Sequence, residues 1–152
     1  MREAWRIVKE KHAATAFTGE GAGRTGGRWN SRGTQLIYTS GTQSLAALEI
    51  LVHLNPPVHL KFVAFHLEFD DALVESFPLK RLPPDWQLEP PPPSAQAIGD
   101  AWVRAAGSAI LALPSVIISG EPNYLLNPAH PDFTRIRIAK PERFAFDPRL
   151  LT

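Results

Sequence analysis

The chain has 152 residues, 44% of them hydrophobic and 20% charged, with a net charge of +1 and no cysteine. That length buries an ordinary core, so a single domain over residues 1–152 is expected. The balanced charge argues against whole-surface nucleic-acid binding, and no direct DNA binding is expected of this chain. Disulfides and thiolate chemistry are excluded by composition.

The N-terminal MREAWRIVKEKHAATAF carries charge from its second residue and resembles neither a signal peptide nor a membrane anchor. No later run approaches the roughly 20 apolar residues that cross a bilayer, so no membrane association and a cytoplasmic location are the expectations. In chain order, Ala4 to Val8 reads as a first strand, followed by a polar, glycine-rich loop. Gln35 to Thr39 is a second strand. Thr42 to Leu54 is the best helix, with Leu45, Leu48 and Val52 at helical spacing, Thr42 as cap and Asn55-Pro56-Pro57 as stop. Lys61 to Phe69 alternates as a long strand, and Val63, Phe65, Leu67 and Phe69 form the face expected to be buried.

The 15 prolines punctuate the chain and exclude a long helical bundle. The stretch PLKRLPPDWQLEPPPP reads as an ordered surface connection, because a linker would not carry Trp86 and Leu88. Ser94 is placed as cap of a helix over Ala95 to Ala106, with Ile98, Trp102 and Ala105 on one stripe. Ser115 to Ile118, Phe133 to Ile138 and Arg143 to Phe146 read as closing strands. The expected class is α+β, a compact mixed sheet with a few helices.

Several residues could carry chemistry. Gly26 and Gly27 would let the backbone approach a ligand beside Arg28, whose planar guanidinium matches phosphate or carboxylate; Arg24 and Arg32 stand nearby. The spacing matches neither a P-loop nor a dinucleotide-binding glycine motif. Glu49 borders the apolar stripe of its helix. It is either a boundary residue pairing with His53 or a partly buried acid aimed into a cleft, and periodicity does not decide. Ser115 reads as a hydroxyl capping local backbone, since it lacks a nucleophile elbow. His53 and His59 lack metal spacing, so no metal is expected.

GGRWN followed by Y-x-S, then LAALE, and late in the chain LPSVIISGEPNYLLNPAHPDF, form a specific ordered set. With AWRIV and FTGEGAGRTGGRWNSRG they resemble the RES-domain family, the toxin half of RES–Xre toxin–antitoxin pairs in bacteria. The resemblance implies a fold similar to ADP-ribosyltransferases and NAD⁺ as substrate, cleaved at the nicotinamide–ribose bond with water or phosphate as acceptor. The alternative it implies is transfer of ADP-ribose to a protein. By motif it carries the family's arginine to Arg28, its tyrosine to Tyr38, its glutamate to Glu49 and its serine to Ser115. Arg6 and Asn123 match further recurrent positions. The roles it implies are charge stabilisation by Glu49, pyrophosphate or ribose binding by Arg28, packing on nicotinamide by Tyr38 and positioning by Ser115. It also implies an Xre-type antitoxin partner in a hetero-oligomeric complex. A different class of reading is an inert nucleotide-binding module, which would release no nicotinamide from NAD⁺.

Overall fold

The computed structural model describes residues 1–54 and 60–151. Strand β1 (Arg2–Lys9) contains the expected Ala4 to Val8 and extends beyond it at both ends. The glycine-rich stretch after it is more ordered than a loop. It contains a 3₁₀ turn over Glu10–Thr15 and a short helix α1 (Glu20–Thr25). Gly19 and Gly26 flank α1 at φ of 80° and 70°, backbone that favours glycine, so two of the glycines mark the ends of a helix.

Strand β2 (Ile37–Ser40) feeds helix α2 (Gln43–Leu51). Thr42 caps α2 as expected, its Oγ1 accepting the Leu45 N–H at 3.1 Å. The buried stripe differs from the sequence reading. Leu45 and Ala46 are buried, while Val52 is 58% exposed, because the helix ends at Leu51 and no further turn carries Val52 inward. The Asn55-Pro56-Pro57 stop and His59 lie outside the described residues.

Strand β3 (Phe62–Phe69) buries the expected face, but Phe62 and Ala64 on the other face are buried too. Ala46 of α2 and the C-terminal Phe144 and Phe146 cover that second face. A short strand β4 (Val74–Ser76) follows, and then helix α3 (Pro93–Ala105). Ser94 does not cap α3. Pro92 stands at the cap with Pro93 at the first helical position, where a fixed φ suits the helix and no N–H is needed, and the Ser94 hydroxyl donates to Asp85 at 2.6 Å. The buried stripe is Ala95, Gly99 and Trp102, with Ala105 exposed. Gly99 is required there, since a Cβ would lie 1.9 Å from the Trp29 carbonyl oxygen.

Strands β5 (Ile110–Pro114), β6 (Pro122–Leu126), β7 (Arg137–Ile138) and β8 (Glu142–Phe144) complete the sheet. The run Ser115 to Ile118 is not a strand. The Ser115 Oγ accepts the N–H groups of Ile117 and Ile118 at 3.0 and 3.1 Å, and this local bonding displaces a ladder. Phe133 to Ile138 likewise divides. His130 Nδ1 accepts the Asp132 N–H, and a 3₁₀ turn over Pro131–Arg135 precedes the two-residue β7.

The strand order is β4-β5-β6-β2-β1-β3-β7, with β8 also pairing β3. Only the β4–β5 pair is parallel among these. One apolar cluster gathers Val63, Phe65, Leu67 and Phe69 with Ile37 and Leu126. A second joins Trp29, Leu36 and Trp102 to Leu111, Leu113 and Leu125, and a third joins Ile7, Ala46, Phe62 and Phe146. The expected α+β class with a mixed sheet and few helices is what the chain adopts.

Candidate active site

The ends of β2, β5 and β6 converge where α2 begins. Ser40 and Leu113 both pair with Asn123, and the ladder runs one step past β5 through the Ser115 N–H to the Glu121 carbonyl at 2.9 Å. Gly41 N–H bonds Pro122 O, and Thr42 Oγ1 donates to Glu121 Oε1 at 2.7 Å, so the first turn of α2 is clamped to the start of β6. Glu49, two turns further along α2, then faces Ser115.

The Ser115 hydroxyl donates to Glu49 Oε1 at 3.5 Å. Its direction follows from valence. The oxygen already accepts two backbone N–H groups, so its single proton points away from them, toward Glu49. The capping role read from the sequence and the contact to Glu49 therefore coexist. Burial pushes the Glu49 carboxyl above its ordinary value, and Asn123, His53, Ser115 and Arg28, in that order, work against the shift. Glu49 is partly buried, and His53 is an electrostatic neighbour. Asn123 is itself buried and donates to Thr39 O at 3.3 Å and Ser40 Oγ at 3.1 Å.

Tyr38 ties the glycine-rich segment to this floor. Its hydroxyl donates to Asn30 Oδ1 at 2.6 Å and accepts the Trp29 N–H at 3.0 Å. Burial, first among its causes, raises the phenol well above its usual range. Gly27 must lack a side chain, because a Cβ would stand 2.6 Å from the Tyr38 hydroxyl oxygen. Asn30 is fully buried, and its Nδ2 donates to Ala22 O and Thr34 O. Arg6 braces the same region, with Nε bonded to Ala16 O at 2.8 Å and Nη1 to Tyr38 O at 2.9 Å. Burial lowers its guanidinium to about 10, so it stays charged at neutral pH.

Arg28 lies close enough to act electrostatically on both Tyr38 and Glu49. Its Nη1 donates to Trp86 O at 2.9 Å and Leu88 O at 2.7 Å, and its Nη2 pairs with the Glu89 carboxylate. Trp86 stacks on Trp29 with ring centroids 5.8 Å apart. Of the six sequence candidates, Glu49, Ser115 and Asn123 lie together by the Ser40 end of β2. Arg6 and Tyr38 spend polar atoms on the scaffold, and Arg28 is engaged by residues 86–89 and reaches Glu49 only electrostatically. The sequence reading missed Asn30 and Glu89 as parts of this region, and it read Gly27 as an approach for a ligand, whereas the space beside it holds the Tyr38 hydroxyl. Asn30 stood inside the GGRWN motif, whereas nothing local to residue 89 signals a partner 61 positions away.

Two surface clefts lie elsewhere. One of about 300 Å³ is lined by Lys61, Phe62, Phe144 and Phe146, among others. The second, of about 510 Å³, is lined by residues that include Thr34, Asp100, Arg104 and Asn127. Neither includes Arg28, Tyr38, Glu49 or Ser115 in its wall. Among the described residues no group of three or more His, Cys, Asp or Glu could hold a metal ion, and no helix is long and apolar enough to cross a membrane.

Comparison with known proteins converges on one family. The RES domain model matches residues 3–147. A protein named Toxin Res from Yersinia enterocolitica (serotype O:8 / biotype 1B) is 38% identical over 148 residues, covering 96% of this chain and 97% of its own. A Prs ADP-ribosylating toxin from Sphingobium sp. strain YBL2 is 35% identical over 153 residues, covering 97% and 95%. Among solved structures, a chain of the M. tuberculosis MbcT–MbcA toxin–antitoxin complex superposes with a TM-score of 0.76, at 17% identity, over 94% of this chain and 84% of that one. That last likeness is one of fold. With the family pattern spanning nearly the whole sequence and two relatives matched end to end, the chain belongs to the RES-domain family.

Proposed function

We propose that the protein is the toxin of a toxin–antitoxin pair and that it consumes NAD⁺ at the region joining Glu49, Arg28, Ser115 and Asn123. The observation that carries the reading is Glu49, a carboxylate held in a desolvated position with a hydroxyl aimed at it and a guanidinium within electrostatic reach. NAD⁺ cleavage breaks the bond between ribose C1′ and the nicotinamide nitrogen. The bonding pair leaves with nicotinamide, neutralising its pyridinium charge and leaving oxocarbenium character on the ribose. A carboxylate beside that carbon stabilises the developing cation and orients the acceptor, as in glycoside cleavage. Water or phosphate then supplies the new oxygen bond, and its surplus proton departs to solvent or to Glu49.

Arg28 would hold the pyrophosphate through charge-assisted hydrogen bonds, and the ring of Tyr38 would pack against nicotinamide. Ser115 would fix Glu49 by the hydrogen bond already described. The names Toxin Res and Prs ADP-ribosylating toxin, borne by relatives matched over nearly their full length, support a toxin that uses NAD⁺. The second of these favours a second reading, transfer of ADP-ribose to a protein. An antitoxin partner, of Xre type by the sequence resemblance, fits the complex in which the structural neighbour was solved.

The test is mass analysis of products from NAD⁺ with the purified protein, with and without phosphate and with candidate acceptor proteins. Free nicotinamide with ADP-ribose indicates hydrolysis, with ADP-ribose 1″-phosphate phosphorolysis, and with a modified protein transfer. Absence of nicotinamide in every arm rejects the NAD⁺ reading. Growth arrest on expression alone, relieved by the partner, is the expected cellular outcome, and harmless solo expression counts against it.

A further inference from the structure

The donors of Arg28 are divided between two kinds of partner. Nη1 meets two neutral main-chain carbonyls, of Trp86 and Leu88, and Nη2 meets the charged carboxylate of Glu89. The members of that ion pair differ sharply in exposure, 14% for the Arg28 side chain and 66% for that of Glu89. A covered cation requires a counter-charge far more than a solvated carboxylate does, since burial penalises unpaired charge. Glu89 can therefore leave for water at little cost, provided that another anion replaces it. The rest of the segment is anchored independently. Trp86 stacks on Trp29, Asp85 accepts the Ser94 hydroxyl, and the two carbonyls hold Nη1. Only the carboxylate is free to exchange.

We propose that Glu89 is a built-in competitor for the ligand's diphosphate. Its carboxylate occupies Nη2 of Arg28 in the free protein and is displaced when a diphosphate arrives. This inference rests on the reading of Arg28 as the group that holds the pyrophosphate. The exchange is also a source of specificity. A diphosphate brings at least two negative charges against one carboxylate, whereas a nucleoside without phosphate has nothing to offer Nη2 and leaves Glu89 in place. Apparent affinity for diphosphate ligands is lowered by the fraction of molecules in which Glu89 is engaged.

The test is calorimetric titration of the parent, Glu89→Gln and Glu142→Gln proteins with inorganic pyrophosphate, ADP-ribose and adenosine. Glu142 is exposed on β8, and its replacement removes the same charge away from Arg28. Glu89→Gln is expected to bind pyrophosphate and ADP-ribose about 3–10-fold more tightly, the gain from releasing a competitor engaged in about 70–90% of molecules. Glu142→Gln should match the parent, and adenosine should not distinguish the three. Equal or weaker diphosphate binding by Glu89→Gln overturns the proposal. So does an absence of pyrophosphate binding by all three proteins, an equal gain in Glu142→Gln, or a similar gain for adenosine. NAD⁺ turnover is read separately. A Glu89→Gln gain without nicotinamide release removes the proposed reaction and leaves the competitor standing, and nicotinamide release without that gain does the reverse.

Discussion

In the proposed reaction, Glu49 joins the chemistry and the cost of the site in one side chain. Its carboxyl is raised by burial, with Asn123, His53, Ser115 and Arg28 opposing the shift, so the ionised form is what folding disfavours. If the ionised carboxylate is the working species, Glu49→Gln should lower the rate of nicotinamide release by about 10²-fold or more. The kcat/KM of the parent should fall as pH drops through a pKa above the ordinary carboxylate range, because that profile reports the free enzyme. Stability should respond with the opposite sense. A carboxyl whose folded pKa exceeds its unfolded value contributes stability that is complete below the unfolded pKa and is lost as pH rises through the folded one. Glutamine stays neutral throughout. Glu49→Gln should therefore show the higher Tm at neutral pH and converge on the parent below about pH 4, where glutamic acid is neutral in both states. A variant melting below the parent at pH 7 would mean that the partners of the carboxylate outweigh its desolvation.

Helix α3 shows what local pattern conveys about an element and what it omits. The stripe of Ile98, Trp102 and Ala105 makes the helix legible, but the sequence places its cap at Ser94, because a hydroxyl before an apolar run is the stronger local signal. The chain instead uses Pro92 and Pro93, and Ser94 serves a bond to Asp85 across nine positions. Ser94→Ala should thus cost no more than about 0.5–1.5 kcal/mol in urea denaturation, the range for one hydrogen bond. Gly99 is the opposite case. Nothing in its neighbours marks it, yet a methyl there would meet the Trp29 carbonyl at 1.9 Å, backbone that no rotamer change can move aside. Gly99→Ala should cost at least about 1–3 kcal/mol, as overpacking does, and should reduce activity by shifting the segment that carries Arg28. Normal stability in that variant would show that α3 slides freely over Trp29. The same limit explains the lost strand at Ser115. Its β-branched neighbours read as a strand, but the hydroxyl takes their N–H groups first.

At the scale of the molecule, the sequence makes the α+β class legible through the strands around Arg6, Tyr38 and Phe65, although β3 is buried on both faces over much of its length. The ordered motifs GGRWN, LAALE and LPS point to Arg28, Glu49 and Ser115; the fold joins Glu49 to Ser115 by a hydrogen bond and leaves Arg28 within electrostatic reach of Glu49. The engagement of Arg28 by residues 86–89 was not legible, because contacts across some 60 positions leave no periodic trace. The three apolar clusters share strands of one sheet, and β3 contributes Val63 to the first and Phe62 to the third. Separating any cluster means opening that sheet, so the chain should unfold as a single unit, as expected of one domain over residues 1–152. Tryptophan fluorescence provides a local probe once Trp5, which packs against the third cluster, is replaced by phenylalanine, since Trp29, Trp86 and Trp102 all belong to the second. Far-UV circular dichroism follows the backbone everywhere, and the two urea curves should coincide. Phe146→Ala makes the test sharper. It empties a site in the third cluster, edge-on to Phe62 and Phe144, at a cost of about 3 kcal/mol. Both curves should move to lower urea together, although no tryptophan of the second cluster touches residue 146. A shift in the dichroism curve alone would divide the chain into two cooperative units and place α2, with Glu49, in a different one from Arg28.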